Sequence, residues 1–273
     1  MSSIFSRLRE KLISWLFKKL HITEALDDIK HPKVYRASCW AGTHAEARMM
    51  NMLSPRMSEQ TFQAHLKWMK NRGCNTAHVI LINQHDGEAS GYSPWGVGVA
   101  PKAIPCDGQT VLLMRTRILA LRRSGFCVVP WIITDDSKQW ARELFVAPRS
   151  CVQYMVDAGL IELDAPLVVL GLEMNEYGTQ MQWMAVRDAL RIAGYHGDIG
   201  THHTSGDSIP FAGLGQVVLA QLAPSCDHAR IQKQVQHFIA CGNKVIGFEY
   251  SRHEDRAKAQ AALDAGAIGC GNW

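Results

Sequence analysis

Eight short apolar runs, separated by segments with helical spacing, constrain the fold of this chain more than any other feature of its sequence. The runs span residues 33–38, 76–82, 126–133, 167–172, 198–202, 216–221, 244–249 and 267–270. The third and fourth runs are apolar almost throughout rather than at alternate positions, which indicates strands buried on both faces. Strands that alternate with helices form βαβ units, so the sequence predicts an α/β fold with a parallel sheet.

The segments between these runs have the spacing of amphipathic helices. We predict helices over residues 58–71, 111–123, 179–193, 229–240 and 254–265. In the first of them Phe62, Leu66 and Met69 recur on one face, and Gly73 follows as a stop signal. Only 13 residues, 203–215, separate the fifth and sixth runs, and glycine and proline are frequent among them. We therefore predict an irregular connection there.

Eight such units can close a barrel or form an open doubly wound sheet. The length of 273 residues suits a (β/α)₈ barrel, which takes roughly 250. No G-x-G-x-x-G or G-x-x-x-x-G-K-[ST] motif follows any predicted strand, which argues against the nucleotide-binding open sheets. Polar and aromatic residues follow nearly every strand: Trp40, His44, His85, Asp86, Asp135, Asp136, Glu176, His202, His203, Glu249 and Trp273. In a barrel these positions share the rim where active sites form, so we predict a (β/α)₈ TIM barrel over residues 31–273.

The N-terminal segment carries the whole net charge of +4. Residues 1–20 contain five basic residues and one acidic residue, and the rest of the chain is balanced. We expect no nucleic-acid partner, and we predict an extra amphipathic basic helix within residues 1–30. This helix could fill the gap beside the eighth strand, dock on a protein partner or bind a lipid surface.

The same segment bears on where the protein is found. Its longest apolar stretch, residues 12–17, is too short to span a membrane, and no small-residue cleavage site follows. These features predict a cytoplasmic protein without a transmembrane segment, unless a partner or particle carries it elsewhere.

Eight cysteines are spread along the chain without a C-x-x-C pair. In a chain of this size with no secretion signal, reduced and mostly buried thiols are favoured over disulfides. The cysteines and histidines also lack the spacing of zinc ligands. We therefore expect neither a metal nor a cofactor.

Two glutamates occupy positions suited to the cleavage of a glycosidic bond. Glu176 follows the fourth predicted strand and Glu249 ends the seventh, 73 positions later, which fits three βα units. The fourth and seventh strands face each other across an eight-stranded barrel, so both carboxyl groups can reach one cavity. Glycoside hydrolysis needs two such groups, about 5–5.5 Å apart in retaining enzymes.

These residues resemble those of the large clan of (β/α)₈ retaining glycosidases, in which an Asn-Glu pair follows strand four and a glutamate follows strand seven. The segment Asn175-Glu176-Tyr177-Gly178 is most similar to the Asn-Glu-Tyr-Gly of its β-galactosidase families. The resemblance implies that Glu176 is the acid/base, that Glu249 is the nucleophile and that Asn175 holds the sugar 2-hydroxyl. Trp273 resembles the strand-eight tryptophan that forms the floor of the −1 subsite.

The chain also departs from the clan's pattern. Glu173 stands two positions before the asparagine in place of the usual residue, and we interpret it as a structural hydrogen-bonding group. Tyr177 stands where many cellulase-like members have proline.

Further residues are candidates for binding an oligosaccharide or polysaccharide substrate. His85, His202 and Gln221 are predicted to contact sugar hydroxyls, and Trp40 follows the first strand. The long loop 83–107, with Tyr92 and Trp95, either shapes the substrate cleft or is an ordinary surface excursion.

The predicted function is therefore a retaining glycoside hydrolase, and two alternatives stay open. The first is a barrel that binds carbohydrate or builds a larger assembly, such as a virus-like particle, without turnover. The second is a metal-dependent hydrolase on the same barrel, although no H-x-H or H-E-x-x-H motif occurs.

Overall fold

The structure is a computed structural model, and it describes residues 31–38, 40–41, 50–84, 91–135, 138–203, 211, 213–221, 226–248 and 256–271. Only the backbone is described at Trp40, Ala41, Met50, Asp135 and Phe248. The N-terminal helix predicted within residues 1–30 lies outside the described residues.

Eight parallel strands close into a barrel. They are β1 Tyr35–Ser38, β2 Thr76–Gln84, β3 Cys127–Asp135, β4 Leu167–Gly171, β5 Asp198–His203, β6 Val217–Gln221, β7 Lys244–Phe248 and β8 Gly269–Cys270. Each strand pairs with the next in sequence, and β1 also pairs with β8. The predicted (β/α)₈ barrel is therefore confirmed over the open sheet, and every strand end lies within two residues of its prediction.

The helices follow the strands as expected for this fold. They are α1 Glu59–Arg72, α2 Gly108–Arg123, α3 Gln139–Val146, α4 Pro148–Asp157, α5 Met174–Tyr177, α6 Gln180–Ile192, α7 His228–Ala240 and α8 Arg256–Asp264. The five predicted helices are confirmed as α1, α2, α6, α7 and α8. Between β5 and β6 the described residues, 211 and 213–216, contain no helix, in line with the predicted irregular connection.

Local signals explain where several helices begin and end. The Ser58 hydroxyl accepts the N–H of Thr61 at 3.0 Å and caps the start of α1. Gly73 ends the same helix at φ 75°, a left-handed conformation that favours glycine. Pro148 stands at the first position of α4 and separates it from α3, two helices that the sequence analysis did not predict.

The hydrophobic core has one layer inside the barrel and another between the barrel and its helices. Ile80 of β2 and Trp131 of β3 belong to the cluster inside the barrel. Val79 and Leu81, the neighbours of Ile80, belong to the cluster between the barrel and its helices. This alternation places one row of side chains from each strand inside the barrel, and its last members reach the rim.

The loop between β1 and α1 is pinned to the barrel by two buried polar side chains. Asn51 Oδ1 accepts the N–H of Ile80 and Nδ2 donates to the carbonyl of His78, both at 3.0 Å. β1 pairs with Thr76 and Ala77 of β2, and the Asn51 side chain bonds to the next part of the β2 backbone, at His78 and Ile80. Arg117 of α2 donates to three carbonyls of the same loop, those of Met52, Ser54 and Met57, at 3.2, 2.5 and 2.5 Å.

The long loop between β2 and α2 packs two aromatic side chains into the core. Tyr92 is fully buried and its hydroxyl donates to the carbonyl of Ile80 at 3.1 Å. Trp95 is 6% exposed, and its indole N–H donates to the carbonyl of Ile104 at 2.7 Å. These two aromatic residues therefore stabilise the loop and do not line an open cleft.

The seven cysteines among the described residues are thiols, and four of them, Cys127, Cys151, Cys226 and Cys270, are buried. Burial raises the pKa of the Cys127 thiol to about 12. No helix within the described part of the chain has the length and hydropathy to cross a membrane.

Candidate active site

The end of β4 makes a sharp turn at Glu173. This residue has φ 48° and ψ 43°, a left-handed conformation that is uncommon for a residue with a long side chain. Its backbone N–H donates to Nδ1 of His202 at 3.0 Å. Its half-buried carboxylate accepts a hydrogen bond from Nε2 of Gln221 at 3.1 Å. Glu173 therefore connects β4 to β5 through its backbone and to β6 through its side chain.

A layer of aromatic and imidazole rings lies inside the barrel beneath this turn. The indole N–H of Trp131 donates to Nδ1 of His78 at 3.1 Å. The Trp131 ring centroid lies 5.6 Å from that of His78 and 5.7 Å from that of His202. All three side chains are fully buried, so they support the rim and have no contact with solvent.

Burial keeps these two imidazoles neutral. Desolvation lowers the pKa of His78 to about 3, and desolvation followed by the nearby His203 and His78 lowers the pKa of His202 to about 3. In each ring Nδ1 accepts a hydrogen bond from an N–H group. The ring proton therefore resides on Nε2 in both.

Glu176 and Asn175 lie on the short helix α5, directly beyond the turn, and both are exposed. The indole N–H of Trp183 donates to the carbonyl of Met174, the first residue of α5, at 3.0 Å. The Tyr177 hydroxyl donates to the carbonyl of Leu172 at the end of β4. Tyr177, which stands where many cellulase-like proteins have proline, thus connects α5 to the end of β4 by a hydrogen bond.

Glycine at position 178 permits the close packing of α5. A Cβ atom there would lie 2.3 Å from Nε1 of Trp183 and 2.9 Å from Cζ of Phe145. Its φ of −145° is accessible to any residue, so the requirement for glycine is steric.

The adjacent histidines of β5 have different environments. His202 contacts Trp131 inside the barrel, whereas His203 packs on Phe211 with ring centroids 5.2 Å apart. Burial lowers the pKa of His203 to about 4. Neither ring nitrogen of His203 has a hydrogen-bond partner within the described part of the chain.

The remaining predicted site residues are placed as follows. Gln221 ends β6 and bonds to Glu173. Glu249 directly follows Phe248, the last residue of β7, but Glu249, Trp273 and His85 lie outside the described residues. The Trp40 backbone pairs antiparallel with Asn51.

Sequence reasoning did not identify His78 and Trp131 as parts of the site's support. The available signal was a histidine and a tryptophan among the apolar residues of two strands, because such residues need hydrogen-bond partners when buried.

The described residues hold no group of three or more His, Cys, Asp or Glu side chains able to bind a metal. The two histidines inside the barrel are separated by the Trp131 ring.

Comparison with known proteins bears on the fold. No family model matches the sequence, and no curated protein matches it. Solved structures do. The GH5_18 protein of Bifidobacterium longum, of which an alanine variant is also solved with Manβ1-4GlcNAc, is 13% identical with a TM-score of 0.59 over 89% of this chain and 70% of its own.

Two further structures share the fold. A broad-specificity GH5-4 endoglucanase from Clostridium longisporum is 11% identical with a TM-score of 0.57 over 90% of this chain and 86% of its own. A β-glucuronidase from Bacteroides uniformis is 11% identical with a TM-score of 0.52 over 89% of this chain and 30% of its own. The chain therefore has the (β/α)₈ barrel fold found in these glycoside hydrolases.

Proposed function

We propose that the protein is a glycoside hydrolase that cleaves by retaining double displacement, with Glu176 as acid/base and Glu249 as nucleophile. The observation that supports the proposal is that the two glutamates follow, in sequence, two strands of a closed parallel barrel. Glu176 lies five residues beyond Gly171, the last residue of β4, and Glu249 lies one beyond the last residue of β7. Because all eight strands are parallel, both follow strand ends at the same rim, which is where barrel enzymes form their sites.

The chemistry follows from two carboxyl groups on opposite sides of the scissile bond. The Glu249 carboxylate attacks the anomeric carbon while Glu176 donates a proton to the departing oxygen, and a glycosyl-enzyme ester forms. Glu176 then takes a proton from water, which attacks the same carbon and releases the sugar with its original configuration. Asn175, next to Glu176 on α5, is proposed to hold the sugar 2-hydroxyl, and Trp273 to form the floor of the subsite.

The environment of Glu176 suits this role. The helix that carries it is fixed by Trp183 and Tyr177, yet the residue itself is exposed. A leaving group that departs toward solvent can therefore approach it without movement of the barrel. Fixed placement of an acid next to the departing oxygen contributes about 10²–10⁴-fold in general acid catalysis.

The proposed substrate class is a β-linked oligosaccharide or polysaccharide. A decisive experiment screens 2,4-dinitrophenyl and 4-nitrophenyl β-glycosides of glucose, mannose and galactose, together with cello-oligosaccharides and Manβ1-4GlcNAc. We expect turnover of at least one, with the β-anomer formed first in ¹H NMR spectra. First formation of the α-anomer contradicts the retaining mechanism.

The same screen separates an enzyme from a sugar-binding barrel. Glu143→Gln provides the matched control, since Glu143 is an exposed carboxylate on α3. Glu249→Gln should lose turnover and Glu143→Gln should keep it. Binding of an oligosaccharide by calorimetry, with no turnover of any substrate, would instead support the non-catalytic alternative.

A further inference from the structure

We propose that His202 is a positioning residue for the acid/base Glu176, because its imidazole holds the backbone turn from which the helix of Glu176 starts. The inference rests on the proposed function and adds a residue to it. In this role His202 acts through the backbone of Glu173, without contact to the reacting atoms. A displaced acid impairs the departure of leaving groups that need a proton, so the role has a specific kinetic signature.

The hydrogen bond that carries the inference lies at the junction of β4 and α5. Earlier along the two strands, β4 and β5 pair through their backbones. At the end of β4 the N–H of Leu172 donates to the carbonyl of Ile133 on β3 at 3.1 Å. The next N–H, that of Glu173, donates to Nδ1 of His202 at 3.0 Å. A side chain of β5 therefore takes the place of a backbone acceptor at the start of the turn.

The turn needs contacts from other elements to hold it. Glu173 precedes α5 in a left-handed conformation, which costs free energy in any residue with a Cβ atom. The helix α5 has only four residues, far fewer than an isolated helix needs to be stable in water. The bond to His202 is one of the contacts that hold the start of this helix.

The imidazole of His202 is itself held in one place. The side chain is fully buried, and its ring centroid lies 5.7 Å from that of Trp131. The Trp131 N–H donates to Nδ1 of His78 at 3.1 Å, which fixes the indole in turn. Close packing of this kind leaves a side chain few alternative rotamers, so Nδ1 of His202 is a fixed acceptor. Because burial lowers the pKa of His202 to about 3, this nitrogen stays unprotonated and able to accept.

The turn at Glu173 in turn sets the position of Glu176. Glu176 is the third residue of α5, and its backbone N–H donates to the carbonyl of Glu173 at 2.9 Å. A change in the Glu173 backbone therefore moves Glu176 directly. Because the Glu176 side chain is exposed, the backbone that carries it decides its position more than packing does. A misplacement of about 1 Å in a reacting group can cost about 10²-fold in rate.

The test compares His202→Asn with His202→Gln, two neutral amides of different length. The asparagine oxygen is bonded to Cγ, as Nδ1 of histidine is, so it can accept the N–H of Glu173. The glutamine oxygen lies one bond further from the backbone, closer to the place of Nε2, and does not replace that acceptor. His202→Leu removes the acceptor altogether and provides a second variant of the same kind.

The kinetic readout is kcat/KM, which reports formation of the glycosyl-enzyme, on the 2,4-dinitrophenyl and phenyl β-glycosides of the best-cleaved sugar. His202→Gln and His202→Leu should lose about 10–100-fold on the phenyl glycoside and less than about threefold on the dinitrophenyl glycoside. His202→Asn should keep both values within about threefold of the wild type. Hydrogen exchange of the Glu173 amide, followed by NMR, should be slow in the wild type and His202→Asn and fast in the other two.

His65→Leu is the control for general destabilisation. His65 is also a buried histidine, and its Nε2 bonds to the Ser38 hydroxyl at 3.3 Å. Its loss should lower the melting temperature without changing the ratio of kcat/KM between the two glycosides. That ratio does not depend on how much of a sample is folded, because both substrates are measured on the same enzyme.

The outcomes separate this inference from the function beneath it. An equal loss on both glycosides in His202→Gln, or the same ratio in His202→Asn and His202→Gln, overturns the inference and leaves the glycosidase proposal standing. Fast exchange of the Glu173 amide in the wild type overturns it as well. Absence of turnover on every glycoside by the wild type overturns the proposed function, and the inference with it.

Discussion

The backbone N–H of Glu173 donates to Nδ1 of His202 across 3.0 Å, which ties the turn after β4 to a side chain inside the barrel. An imidazole can accept at Nδ1 only while that nitrogen is unprotonated. The bond therefore depends on a neutral His202, and the depressed pKa of that ring maintains it.

Acid should destabilise the protein through its buried histidines. Burial lowers the pKa of His65 and His203 to about 4 and of His78 and His202 to about 3. Unfolding restores their ordinary pKa of about 6.5, so the unfolded chain binds more protons below that pH. Their contribution to stability is present above about pH 6.5 and is lost as the pH falls toward 4 and then 3.

Urea unfolding at pH 7.5, 6.5, 5.5 and 4.5 measures this dependence. Each buried histidine contributes a slope of at most about 1.4 kcal/mol per pH unit. His203→Phe, which keeps an aromatic contact with Phe211, should give a shallower slope. His228→Gln replaces an exposed histidine of α7 and should keep the wild-type slope. A free energy of unfolding that does not vary with pH across this range would refute the prediction.

The two proposed catalytic glutamates should respond differently to substitution. Glu249→Gln should reduce kcat by a factor of about 10³ or more on all glycosides, because no covalent intermediate forms without the nucleophile. Glu176→Gln should retain activity on 2,4-dinitrophenyl glycosides, whose leaving group needs little protonation, and lose about 10²–10⁴-fold on poor leaving groups. Steady-state kinetics on a leaving-group series measures this, and equal losses on both substrate types would exclude an acid role for Glu176.

Gly178→Ala should displace the helix that carries Glu176. The added Cβ would meet the Trp183 indole at 2.3 Å, and Trp183 is fully buried and held by Met174. Overpacking of this kind costs about 1–3 kcal/mol. We expect a lower melting temperature and a reduced kcat on poor leaving groups.

Gly108→Ala is the control for that substitution, since Gly108 begins α2 and a Cβ atom added there would meet no other atom within 4 Å. It should leave kcat unchanged and hold or raise the melting temperature. If Gly178→Ala and Gly108→Ala had the same melting temperature and kcat, the prediction for Gly178 would be wrong.

Arg117→Met should destabilise the loop between β1 and α1. Arg117 is 3% exposed and donates to the carbonyls of Met52, Ser54 and Met57. Loss of these charge-assisted bonds should lower the free energy of unfolding by about 3 kcal/mol. Arg115→Met on the exposed side of the same helix should change it by less than about 0.5 kcal/mol. Urea denaturation compares the two, and similar values would contradict the assigned role.

The sequence alone determined the strands, the main helices and their order. A strand covered by side chains on both faces is mostly apolar along its length, so β3 and β4 are visible as apolar runs rich in Val, Ile or Leu. The sequence also showed where α1 ends, because Gly73 readily adopts the left-handed conformation that terminates a helix. Pro148 carried a comparable signal for the start of α4, which the sequence analysis did not use.

Only the tertiary structure decided which polar and aromatic side chains lie at the candidate site and which are buried in the core beneath or beside it. Tyr92 and Trp95 could have lined a cleft, and they pack into the core because their polar atoms find carbonyl acceptors there. Trp131 lies between His78 and His202 because closure of the barrel brings β2, β3 and β5 around one interior. No spacing along the chain encodes that contact.

The same holds for the two glutamates that follow β4. Glu173 and Glu176 are three positions apart, which on a regular helix would place them on one face. The left-handed turn at Glu173 instead directs its carboxylate to Gln221 and leaves Glu176 exposed on α5. That turn is set by contacts with His202, Trp183 and Tyr177, residues that come from other elements or from beyond the turn. The sequence therefore identified the carboxylates, and long-range packing decided their separate environments.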